Sequence, residues 1–117
     1  FRASEVFRSV EATSPDNANS LLSYFSRPRP ETTTALLARL TKDWPGVPVS
    51  MLEQIRQPTL VIANGEDIVH PISYAKSLAK IIPKAYFEQI PSKTEDALEY
   101  TLNFKAALAK FITATPQ

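Results

Sequence analysis

Asp67 and His70 are the residues in this sequence whose types and spacing most plainly suit chemistry. A carboxylate and an imidazole three residues apart can hold or move a proton. They follow Pro58-Thr59-Leu60-Val61-Ile62-Ala63-Asn64-Gly65, where Thr59 to Ala63 is an unbroken β-branched and apolar run. Such a run does not alternate apolar with polar, so it reads as a strand covered on both faces, as in a parallel sheet. Reactive groups collect at the carboxyl ends of strands in open α/β sheets, and both residues lie just past that end. The plainer readings are an Asp that accepts backbone hydrogen bonds in a turn, and a His that merely precedes the helix opened by Pro71. A His beside the positive end of a helix is also disfavoured in its protonated form.

The other polar candidates read as structural. Ser50 and Ser92 look like helix caps, because neither has a base within its local motif. Glu66, Glu95 and Asp96 read as solvated or helix-starting acids. Tyr74 and Trp44 read as packing residues. The chain has no cysteine and a single histidine, so neither a disulfide framework nor thiolate chemistry is available. No cofactor and no metal are expected.

The elements that position Asp67 and His70 fall into two kinds. In the first half, Ala3, Val6, Phe7 and Val10 recur at helical spacing, and so do Ala18, Leu21, Leu22 and Phe25. Between them, Ser14-Pro15-Asp16 supplies an N-cap, a first-turn proline and an early acid. Pro28 and Pro30 stop the second helix and start a third, with Leu36, Leu37, Leu40 and Trp44 on its apolar side. Pro45-Gly46-Val47-Pro48 is a turn or linker, and Ser50 caps a short helix that turns Leu52 and Ile55 inward.

The second half changes pattern after the strand. Pro71 opens a helix with Ile72, Ala75, Leu78, Ala79 and Ile82 on one side and Ser73, Lys76, Ser77 and Lys80 on the other. Pro83 ends it. Ala85 to Ile90 reads as a second strand, which makes a right-handed βαβ unit with parallel strands. Ser92-Lys93-Thr94-Glu95 has the form of a capping box. The last helix spans about Thr94 to Ile112 and buries Ala97, Thr101, Phe104, Leu108 and Phe111. The expected fold is α/β: a helical, cap-like segment over 1–47, then a β-α-β-α portion over 48–117 with a two-stranded parallel sheet.

From Leu52 to Ile62, through Gly65-Glu66-Asp67 and Pro71, the chain resembles the late region of α/β-hydrolases. Tyr74 to Ala79, Ile82 to Ala85 and the closing Lys110-Phe111-Ile112 continue the likeness, which covers roughly residues 50–113. The helical residues 1–44 match only the position of a cap domain. The resemblance implies that Asp67 is the acid of a serine triad, which would orient a histidine and stabilise it as it becomes charged. It implies acyl or ester-type hydrolysis of a small-molecule substrate by the parent enzyme.

The sequence also departs from that family. Its only glycines are Gly46 and Gly65, so it holds no G-x-S-x-G nucleophile elbow. The family's histidine follows the last strand in a Gly-His turn, and here that place reads Pro91-Ser92-Lys93-Thr94-Glu95. Three readings fit: a non-catalytic member, His70 as an unusual base, or an altered residue. Phe1 is not an initiator methionine. The expectation is therefore a C-terminal piece of a hydrolase, itself inert, whose partner is the missing N-terminal part or a second copy. The rival is a non-catalytic module that self-associates as a homodimer.

Thirteen basic and twelve acidic residues leave a net charge of +1, which gives no electrostatic case for nucleic acid or an anionic membrane. No run approaches the length of a membrane span and no signal peptide opens the chain. A cytoplasmic location is the expectation.

Overall fold

The structure, a computed structural model, describes all residues except Thr41, Trp44, Pro45 and residues 115–117. The expected apolar role of Trp44 and the start of the Pro45 turn lie outside the described residues. Gly46 adopts φ 68°, a left-handed conformation that only glycine takes without steric cost. The chain divides into two units, Phe1–Pro48 and Val49–Gln117.

The first unit is helical: α1 (Glu5–Thr13), α2 (Pro15–Ser23), a 3-10 turn (Tyr24–Ser26) and α3 (Pro30–Leu40). Ser4 caps α1 by accepting the Phe7 N–H at 3.2 Å. Ser14 stands at the N-cap of α2 with Pro15 behind it, yet its side chain makes no capping bond. Phe7 and Ala18 are buried where α1 meets α2. The Phe1 ring meets that of Phe7 edge-on, with centroids 4.9 Å apart.

The second unit contains α4 (Val49–Leu52), β1 (Thr59–Ala63), α5 (Ile72–Ile81), β2 (Ala85–Gln89) and α6 (Ala97–Ala114). The protein is thus mixed α/β, with six α-helices and a two-stranded parallel sheet among the described residues. Ser50 lies inside α4, so it is not the cap of that helix. The strands pair in the register Thr59↔Ala85 through Ala63↔Gln89. The ladder begins with the Thr59 N–H donating to Lys84 O at 3.0 Å and closes with Ile90 N–H on Ala63 O at 3.0 Å.

Successive strand residues face opposite sides of a sheet. On β2, Phe87 lies beneath Lys76 of α5, and Tyr86 meets Phe111 of α6 with ring centroids 6.0 Å apart. The two helices therefore cover opposite faces of the ribbon. Cover is incomplete, because two strands are too narrow to fill both layers. Val61 is 8% exposed, while its four neighbours in β1 are half-buried.

The apolar side of α5 forms as its spacing predicts: Ile82 is buried and Ile72, Ala75, Leu78 and Ala79 are half-buried. The inward stripe of α6 differs. Tyr100, Asn103, Ala107 and Phe111 turn inward, whereas Ala97, Thr101, Phe104 and Leu108 are exposed, as are Leu98, Leu102 and Ile112. This helix is apolar around most of its circumference. Hydrophobic periodicity therefore specifies no single face, and packing on β1 selects one.

Candidate functional site

The site is built on the two loops that leave the carboxyl ends of β1 and β2. In the first loop, Asn64 Oδ1 accepts the Glu66 N–H at 3.2 Å, which starts the turn. Asp67 closes it. Its Oδ1 accepts the His70 N–H at 2.8 Å, and its Oδ2 lies 3.1 Å from His70 Nδ1. An ionised carboxylate only accepts, so this contact puts a proton on Nδ1, and in the neutral imidazole Nε2 then carries the lone pair. The Asp67 side chain is 20% exposed and that of His70 is 81% exposed. Partial burial would raise the Asp67 pKa, but the His70 N–H, the His70 imidazole and the Val69 N–H together hold it below the ordinary carboxylate value.

In the second loop, Ser92 and Glu95 form the reciprocal pair their spacing predicts. Ser92 Oγ accepts the Glu95 N–H at 3.0 Å, and Glu95 Oε2 accepts the Ser92 N–H at 2.9 Å. The box closes a separate turn before the helix. The cap of α6 is Asp96, whose Oδ1 accepts the N–H groups of Leu98 and Glu99, both at 2.9 Å. Hence α6 starts at Ala97 and not near Thr94.

The two loops are tied together. The Ser92 hydroxyl donates to Glu66 Oε2 at 2.5 Å, across 26 residues of sequence. Ser92 is 3% exposed and its hydroxyl donates to Glu66 and accepts from Glu95. This agrees with a structural role and not a nucleophilic one. Glu66, read as a solvated or helix-starting acid, is half-buried and holds the far loop. No local signal in the sequence marks that contact, because parallel pairing alone brings the two loops side by side.

A cleft of about 370 Å³ opens beside the carboxyl end of β1. Ile62, Ala63, Ile90, Ala75 and Phe104 give it apolar walls, while Asn64, Asp67, His70, Tyr74 and Tyr100 bring polar atoms to it. Tyr74, read as packing, is exposed and lines this cleft. The Tyr100 and Phe104 rings are near-parallel, with centroids 6.3 Å apart. The arrangement holds an imidazole at the rim of an apolar recess, where its neutral form can accept a proton. Among the described residues, no group of three or more His, Asp or Glu could hold a metal ion. No described helix is long and apolar enough to cross a membrane.

In comparisons with known proteins, no family model, curated protein or solved structure matches this chain.

Proposed function

We infer that the chain is the late portion of an α/β-hydrolase, with Asp67 as the acid of a serine triad whose nucleophile lies outside this sequence and whose histidine, within it, can only be His70. The observation that carries this reading is the position of Asp67: at the carboxyl tip of a parallel strand, with its carboxylate already engaged on an imidazole. Resemblance over residues 50–113 supplies the family, and acyl or ester-type hydrolysis of a small molecule is the reaction it implies. Within Phe1–Gln117 itself there is no G-x-S-x-G elbow, so the piece alone is inert.

The test is the coding sequence upstream of Phe1, followed by expression of the longer chain. A G-x-S-x-G segment there, with a serine that a fluorophosphonate probe labels, supports the reading. Asp67→Asn in that longer chain should then slow labelling steeply, because the histidine loses its orienting charge. An upstream region without such a serine, or labelling indifferent to Asp67→Asn, overturns it.

One feature favours a second reading, a non-catalytic module that self-associates. Among the described residues, β1 pairs on one side only, and apolar residues of α6 stand exposed in the same unit.

A further inference from the structure

We propose that two copies of this chain pair through the free edge of β1, antiparallel and centred on Val61, to form one four-stranded sheet in the order β2-β1-β1-β2. The proposal rests on the self-associating reading and supplies its surface and register.

The open edge is specific in its hydrogen bonding. Successive strand residues send their N–H and C=O groups to opposite sides. Thr59 N–H and Ala63 O both bond to the β2 side, so Val61 does too, and the groups of Leu60 and Ile62 point to the open edge. In an antiparallel pair, two residues with outward groups must face each other to exchange bonds. Centring on Val61 places Leu60 of one copy opposite Ile62 of the other, twice over by symmetry. Moving the centre to Leu60 would set Ile62 against Pro58, which has no N–H to give. A one-residue slip would face outward groups with inward ones.

The edge also lacks the features that normally block such pairing. Thr59 to Ala63 contains no charge, proline or glycine. The outer strand β2 is better guarded, with Glu88 inside it and Pro83, Lys84 and Pro91 around it.

Charge selects the same geometry. Antiparallel pairing carries Arg56, just before β1, to the end of the sheet where Glu66 and Asp67 of the other copy follow β1. Arg56 is exposed, and among the described residues it makes no ion pair. Two such Arg–acid juxtapositions arise by symmetry. A two-fold axis normal to the sheet keeps faces in common, so both α6 helices, with the exposed Phe104 and Leu108, lie on one face.

The experiment is sedimentation of Phe1–Gln117 from micromolar to millimolar concentration, with hydrogen exchange on the same samples. The expected result is a species of twice 13.0 kDa. Leu60 and Ile62 amides should become protected only as it forms, while Thr59 is protected throughout. Arg56→Glu should weaken the dimer about tenfold. Ile62→Pro should abolish it, since it removes an outward N–H and no bond to β2. Should Ile62→Pro fail to fold, Arg56→Glu and the Leu60 amide still decide. A monomer at all concentrations overturns both this proposal and the self-associating reading. A dimer unmoved by Arg56→Glu, with Leu60 exchanging freely, overturns this surface alone.

Discussion

Asp67 grips His70 at two points, the backbone N–H at 2.8 Å and the imidazole Nδ1 at 3.1 Å. One carboxylate thereby fixes both the turn and the ring. The backbone bond shapes the loop, and the ring contact decides which imidazole nitrogen faces outward.

That grip sets a pH dependence. Asp67 titrates lower in the folded chain than the ordinary value of about 3.9. Its contribution to stability is complete above the unfolded value and is lost as pH falls through the lower folded value. Urea unfolding between pH 2 and pH 6 should show stability dropping on the acid side, with a shallower drop in Asp67→Asn. At neutral pH the same substitution should cost no more than about 1 kcal/mol, because His70 is exposed to solvent and Asn still accepts the backbone N–H.

Ser92→Ala should be the costlier change near the site. It strips the Glu95 N–H and the Glu66 carboxylate of their common partner at a position 3% exposed. A loss of about 1–3 kcal/mol is expected from the urea midpoint. Ser92→Thr, which keeps the hydroxyl, should recover much of it.

Asp96→Ala should destabilise α6 by about 1 kcal/mol, since two N–H groups lose their acceptor. Asp96→Asn should restore most of that. The readout is the exchange rate of the Leu98 and Glu99 amides alongside the denaturation midpoint.

The first unit leans on one ring. Phe7, 2% exposed, fills the space between α1 and α2. Phe7→Ala should cost about 3–5 kcal/mol, enough to unfold a unit of this size. Loss of helical circular dichroism with retained amide protection at Thr59 is the expected signature.

The piece alone should not hydrolyse 4-nitrophenyl acetate faster than its His70→Ala variant plus free imidazole. An exposed imidazole without a neighbouring nucleophile offers little beyond solution chemistry. A saturable rate would contradict the inert reading of Phe1–Gln117.

Local rules made much of this fold legible. Pro71 and Pro83 bracket α5, the Thr59–Ala63 run forms a strand, and Ser92 with Glu95 makes its box, because each is decided by neighbours a few residues away. Two misreadings are local, the Ser50 cap and the start of α6, where Asp96 and not Ser92 holds the first turn; the rest were decided at a distance. With Leu98, Leu102, Phe104, Leu108 and Ile112 on several sides, α6 carries no unique period, so only its seat on β1 chooses Tyr100, Asn103 and Ala107. Asp67 and His70 could be picked out by type and place, and their contact follows from a three-residue turn. The partnership of Glu66 with Ser92 has no such local cue.

The tie between Glu66 and Ser92 joins Asp67's immediate neighbour to the turn that launches α6. One buried hydroxyl therefore fastens both loop ends at once: without it, the residue before Asp67 and the turn ahead of α6 come loose together.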